Sequence, residues 1–194
     1  MNTGITGVIL AGGQGRRMGG VDKGLRELRG KAMVAWVLER FAPQVDEMLI
    51  NANQNLDVYA RFGHRVIPDE IGGFAGPLAG LQRGLSEATH PLVATAPCDT
   101  PFLPADLVTR LHAALQTQQA QLAVARTGDQ PHPVFCVCRR DVLPHLTQFL
   151  SNGGRKIDAW YATLKVVEVA FDDQAEAFAN INTQDELRGF ENTP

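Results

Sequence analysis

The sequence is short of the features that mark several large classes of protein. Cysteine occurs three times in 194 residues, at Cys98, Cys136 and Cys138. An odd count spread over a chain of this length is a poor disulfide framework. With no signal-peptide pattern over residues 1–12, it points to reduced thiols and a cytoplasmic protein. No run approaches the roughly 20 consecutive apolar residues that a membrane span needs, so no membrane partner is expected. Positive charge is in deficit: 18 Lys and Arg against 21 Asp and Glu leave a formal net charge of −3. That balance argues against nucleic acid as a partner, which calls for a broad basic footprint. It leaves room for a small anion held by a few gathered cations. Internal repeats, low-complexity stretches and linkers are missing too, so one compact domain over residues 1–194 is expected.

What is present is the balance of an ordinary globule, 44 % hydrophobic and 20 % charged residues, sufficient for a sizeable core. Apolar runs at 5–10, 48–52, 65–68, 91–96 and 121–126 read as strands. Between them, Met33, Val34, Val37, Leu38 and Phe41 recur at helical spacing, as do Leu78, Leu81 and Leu85, and then Leu107, Leu111 and Leu115. The last helix begins near Pro104, where proline is tolerated in a first turn. Beyond Pro131 the order is less regular: a strand at 134–138, helices near 142–150 and 155–163, a strand at 165–170 and a final helix at 184–190. Strand and helix in alternation imply a three-layer α/β architecture of Rossmann-like type, a mostly parallel sheet with helices on both faces. Cys136 and Cys138 share one face of a strand. A metal there would need two further ligands, and none are grouped nearby, so both read as small buried hydrophobes.

In such sheets ligands bind beyond the carboxyl ends of the strands, and the first of these ends is unusual. Residues 11–23, Ala-Gly-Gly-Gln-Gly-Arg-Arg-Met-Gly-Gly-Val-Asp-Lys, hold five glycines and three cations. Glycines let backbone N–H groups approach a phosphate chain, and consecutive N–H groups form an anion-binding nest. Arg16 and Arg17 offer forked donors, and Lys23 a compact point charge. The loop is neither a Walker loop, since Gly20 is followed by Val21-Asp22, nor the G-x-G-x-x-G dinucleotide fingerprint.

Other positions are less decided by residue type alone. Asp99, in Pro97-Cys98-Asp99-Thr100-Pro101, follows the strand at 91–96 and could hold Mg²⁺ with a triphosphate or form a turn or helix cap. Asn51 and Asp69 each end a strand and are equally good turn formers. Gly76-Pro77-Leu78-Ala79-Gly80 opens a helix whose N-terminus offers donors to an anion. His132 reads more readily as a turn histidine than as a base. Arg155 and Lys156 stand at an expected helix start, where cations oppose the dipole unless an anion is near. Asn182 or Thr183 is a good N-cap for the final helix.

Leu10-Ala11-Gly12-Gly13, Arg17-Met18-Gly19 and Asp22-Lys23 resemble the signature of nucleotidyltransferases that act on sugar phosphates and on molybdopterin. Gly12, where many of those enzymes read Ala in L-A-A-G, together with Gly-Gly-Val-Asp-Lys-Gly at 19–24, is more similar to the molybdenum cofactor guanylyltransferase family than to its cytidylyl relatives. The resemblance runs from Leu10 to Leu187. It implies a nucleotidyltransferase fold with a GTP-binding N-terminal part and a molybdopterin-binding C-terminal part. It further implies that Leu10, Ala11, Gly12, Gly13, Gly15 and Arg16 bind GTP together with Lys23, Asn51, Asp69, Gly76 and Asp99. Asn51 and Asp69 would lie around base and ribose, and Asp99 would carry the Mg²⁺ cofactor. Arg155, Asn180 and Asn182 would hold the pterin-bearing substrate, and transient contacts with molybdenum-insertion proteins and molybdoenzyme chaperones would be in keeping.

The chemistry so implied is transfer of GMP from GTP to the terminal phosphate of molybdopterin, with release of pyrophosphate. Lys23, Asp99 and Arg17 are its expected catalytic residues. The rival readings are a CTP-dependent or sugar-phosphate enzyme of the same fold, and a nucleotide-binding regulator without turnover.

Overall fold

The central strands carry apolar residues on both sides, and the architecture follows from covering both. The computed structural model describes residues 4–13, 22–71 and 76–181. Strand β1 (Ile5–Leu10) lies between β4 (Glu47–Asn51) and β6 (Leu92–Pro97), parallel to both. The sheet extends from β4 to a parallel β5 (Arg65–Ile67). On the other side it continues through β8 (Gln130–Arg139) and β7 (Leu122–Thr127) to β9 (Val166–Ala170). The resulting order is β5-β4-β1-β6-β8-β7-β9. Strand β8 is antiparallel to both neighbours, while β7 and β9 are parallel.

Alternate residues of each strand feed opposite cores, as a period of two requires. Ile9, Ile50, Ala94 and Val137 face one cluster, and Val8, Leu49, Val93 and Cys136 the other. Helices α1 (Met33–Phe41) and α4 (Leu107–Thr117) cover the first face with Val34, Val37, Phe41 and Leu111. Helices α3 (Pro77–Glu87) and α5 (Leu143–Ser151) cover the second with Leu78, Leu81, Leu85 and Leu146, joined by Trp160 of α6 (Ile157–Tyr161). The stripes of α1, α3 and α4 are those that the helical spacing predicts. The three cysteines are free and buried, Cys136 and Cys138 among apolar neighbours. Among the described residues no helix is long and apolar enough to cross a membrane.

Five features depart from the expectations. A hairpin of β2 (Glu27–Leu28) and β3 (Lys31–Ala32) turns through Arg29 and Gly30, both at positive φ, which two-residue hairpin loops of this kind require. A short helix α2 (Leu56–Ala60) follows β4. Strand β8 starts at Gln130, not 134, because only Gly128 and Asp129 separate it from β7. Opposite the β7 step from Val124 to Ala125, β8 runs from Cys136 to His132, so residues 133–135 bulge out of the ladder. Helix α6 begins at Ile157 rather than 155, since Gly153 and Gly154 donate back to Leu150 and Phe149 and close off α5. The expected final helix at 184–190 lies outside the described residues.

Candidate active site

The carboxyl ends of β1, β4, β5 and β6 meet on one side of the sheet, as the direction of parallel strands dictates. There the Ala11 N–H donates to the Asn51 carbonyl at 2.8 Å, and the Cys98 N–H to the Leu10 carbonyl at 3.2 Å. Three strand-end segments are thereby locked side by side. They border a cleft of about 710 Å³, within the range of small-molecule sites.

Leu10, Ala11, Gly12 and Gly13 line this cleft, as do Asn51, Asp69 and Gly76. Lys23, Asp99 and Asn180 line it as well. Residues separated by more than a hundred positions are thus brought to one place. Gly15, Arg16, Arg17 and Asn182 lie outside the described residues. Arg155 is not part of the cleft wall. Its guanidinium donates to the Leu150 carbonyl at 2.8 Å and the Gly154 carbonyl at 2.6 Å. That puts its charge at the C-terminal end of α5, where the helix dipole favours a cation, and removes the reason for expecting an anion beside it.

Lys23 Nζ stands 3.3 Å from Asp99 Oδ2, with the two side chains 27 % and 12 % exposed. The pair is therefore shielded but open to a ligand. Asp99 is tied to the C-terminal half by its own carbonyl, which accepts from the Ile181 N–H at 2.9 Å. The adjacent Thr100 hydroxyl donates to Asn180 Oδ1 at 2.6 Å. Among the described residues no group of three or more His, Cys, Asp or Glu comes together around a metal. A cation at Asp99 would draw on one or two carboxylates plus phosphate and water oxygens, the manner in which Mg²⁺ is held.

On the other side, Asp69 is gripped by two amides. Asn51 Nδ2 donates to Asp69 Oδ1 and Asn53 Nδ2 to Asp69 Oδ2, each at 2.8 Å, while the Asp69 N–H donates to Asn53 Oδ1. Asn53 also reaches the Gly12 carbonyl at 3.3 Å. Sequence reasoning missed Asn53; its place two residues beyond the strand end at Asn51 was the available signal.

The helix behind this network leaves no slack. A Cβ on Gly80 of α3 would sit 2.3 Å from Asn51 Oδ1 and 2.8 Å from Leu10 Cδ2, closer than packed atoms tolerate. Gly80→Ala is expected to push Asn51 off Asp69 and weaken nucleotide binding by about tenfold, a loss of roughly 1.4 kcal/mol. Isothermal titration against the wild type checks this.

Across the cleft stands the β8 bulge, whose Gln130, Pro131, Pro133 and Val134 line it with His132. The His132 ring stacks on Phe178 with centroids 4.7 Å apart, and its Nε2 lies 2.7 Å from the Thr127 hydroxyl. Burial lowers the pKa of this imidazole, so it is held neutral. With the folded value below an unfolded one near ~6.5, its stabilising contribution is complete above about pH 6.5. It is lost as pH falls through the folded value. The melting temperature should accordingly drop more between about pH 7 and about pH 5 in the wild type than in His132→Gln, measured by calorimetry.

The chain matches the family described as MobA-like NTP transferase domain over residues 7–166. A molybdenum cofactor guanylyltransferase from Cupriavidus taiwanensis is 51 % identical over 192 residues, covering 96 % of each protein. One from Cupriavidus necator is 52 % identical with the same coverage. Among solved structures, molybdopterin-guanine dinucleotide biosynthesis protein A from Archaeoglobus fulgidus superposes with a TM-score of 0.80 at 25 % identity, covering 96 % of each chain. The 4-diphosphocytidyl-2C-methyl-D-erythritol synthase of Anaerococcus prevotii shares the fold, with a TM-score of 0.73 at 14 % identity and 97 % coverage of each.

Proposed function

The chain belongs to the MobA-like NTP transferases and, among them, to the molybdenum cofactor guanylyltransferases, and from that premise we propose how its cleft transfers GMP from GTP to molybdopterin. The observation that carries the reading is Lys23 Nζ at 3.3 Å from Asp99 Oδ2, at the point where the Gly-rich segment returns to the cleft.

In this reading one domain serves both substrates. The Gly12–Gly15 backbone, with Arg16, Arg17 and Lys23, receives the β- and γ-phosphates. Asn51 and Asp69 lie at the base and ribose, with the N-terminus of α3 behind Gly76 offering further donors. Asn180 and Asn182 hold the molybdopterin side, together with the His132 wall. Arg155 is supported there by family resemblance alone.

The acceptor phosphate attacks the α-phosphorus in line, a new P–O bond forms, and pyrophosphate departs with the electron pair of the broken bond. A phosphate monoester has a second pKa near ~6 and is largely ionised at neutral pH, so no general base is needed. What the protein must supply is alignment and relief of repulsion between two polyanions. Asp99 would hold Mg²⁺, which when bound draws charge from the phosphate oxygens. Lys23 places its ammonium beside that carboxylate and lends charge to the α-phosphate and leaving group. Three buried free thiols fit action in the cytoplasm.

The test is the melting temperature with Mg²⁺ and either GTP or CTP at equal concentration. At ~100-fold over Kd, binding adds about 2.7 kcal/mol, or roughly 5–10 °C for a domain of this size. A shift with GTP and little with CTP is expected; a CTP preference would move the chain to a cytidylyl activity.

A further inference from the structure

One carboxylate in the cleft is spent entirely on protein contacts. Asp22 Oδ1 accepts from the Tyr59 hydroxyl at 2.5 Å and from the Gly24 N–H at 3.2 Å, and Oδ2 accepts from Asn55 Nδ2 at 3.1 Å. Through the Gly24 bond Asp22 caps the 3₁₀ turn Lys23–Leu25, whose backbone is closed by Leu25 N–H to the Asp22 carbonyl and Arg26 N–H to the Lys23 carbonyl, both at 3.2 Å. Lys23 is thus the first residue of a turn whose start is pinned by its neighbour's side chain.

The pin itself is anchored in the core. Tyr59, the fourth residue of α2, is fully buried. Burial foremost, with Cys98 and Asp22 adding to it, drives its pKa far above the ordinary value, so the hydroxyl always has a proton to give. The fit is close: a Cβ on Gly24 would fall 2.5 Å from Tyr59 Oη and 3.2 Å from Cys98 Cβ. Gly24 is therefore required by the close approach of the tyrosine. Asn55 holds the second oxygen from a left-handed backbone, φ 52°, at the start of the same helix.

We propose that Tyr59 is a positioning residue for the transfer reaction, fixing the Lys23 ammonium beside Asp99 by holding the Asp22 carboxylate from within the core. Tyr59 has this role only if Lys23 serves the triphosphate as set out above. The hydroxyl is buried and does not line the cleft, so its loss acts through the placement of Lys23, with the larger part expected in turnover.

Tyr59→Phe keeps the ring and deletes only the hydroxyl. Its kcat for pyrophosphate release is expected to fall about tenfold, the scale on which a small misplacement of a catalytic group acts, with KM for GTP within about twofold of wild type. In a Lys23→Met background the same change should have no further effect on kcat. Asn55→Gly, which suits the left-handed backbone and deletes the Oδ2 bond, should shift kcat in the same direction and by less. Wild-type kcat in Tyr59→Phe would overturn the proposal, as would an undiminished tenfold loss in the Lys23→Met background. Unchanged activity in Lys23→Met alone would instead overturn the assignment of Lys23 to the triphosphate.

Discussion

Asp99→Asn is expected to reduce kcat for pyrophosphate release by about 10²–10³-fold, some 2.7–4 kcal/mol of transition-state stabilisation. The substitution is close to isosteric, and the fold should tolerate it. Asp99 is joined to the rest of the molecule through its backbone carbonyl and through Thr100, neither of which the change touches. Its side chain is 12 % exposed and, among the described residues, pairs with Lys23. An amide in its place loses the charge that would hold Mg²⁺ and weakens the contact to the Lys23 ammonium. Circular dichroism and melting temperature should therefore stay near wild type while turnover collapses. Near-normal turnover would remove Asp99 from the chemistry.

Lys23→Met should lower kcat/KM by about 10²-fold, with the larger part in kcat. Methionine keeps the unbranched stem and discards the charge. Arginine should rescue poorly, because a planar fork is a different object from a compact ammonium. The two substitutions should not add: a double variant is expected to be little worse than Asp99→Asn alone, as for groups that act as a unit. Steady-state kinetics of the four proteins in the cycle would measure this directly. Full additivity would mean that the two residues serve separate steps.

Much of this was legible before the structure. The apolar periodicities of α1, α3 and α4 gave those helices their buried faces, and the parallel strands gave the side of the sheet on which ligands bind. The Gly-rich segment and Asp99 could be paired because both follow strands that β1 and β6 turned out to be, adjacent and in register from Ile5–Leu92 to Leu10–Pro97. What escaped was local geometry decided by two or three residues. Gly128-Asp129 is a hairpin turn signal, and overlooking it hid the direction and length of β8. The excess at residues 133–135 that brings His132 and its neighbours to the cleft is a bulge, set by cross-strand register rather than by composition.

The site shows the same division. Residue type left Asn51, Asp69 and Asp99 as possible turn formers, and the family resemblance is what pointed to them, whereas the amide of Asn53 and the hydroxyl of Tyr59 enter through contacts that only tertiary structure creates. Arg155 was the reverse case. Its position beside Lys156 suggested a cation at a helix start, but Gly153 and Gly154 end the preceding helix so that it caps a C-terminus instead. A cation can be satisfied by carbonyls as well as by a phosphate, and sequence does not distinguish the two.

The central claim is that this cleft moves GMP onto a pterin-borne phosphate. The most direct measurement is pyrophosphate release by the purified protein with Mg²⁺, at neutral pH, with GTP or CTP, each in the presence and absence of molybdopterin. Release that requires GTP and molybdopterin together, with formation of the guanine dinucleotide, is the expected result. Release with CTP in preference to GTP, or none with GTP and molybdopterin combined, would contradict it.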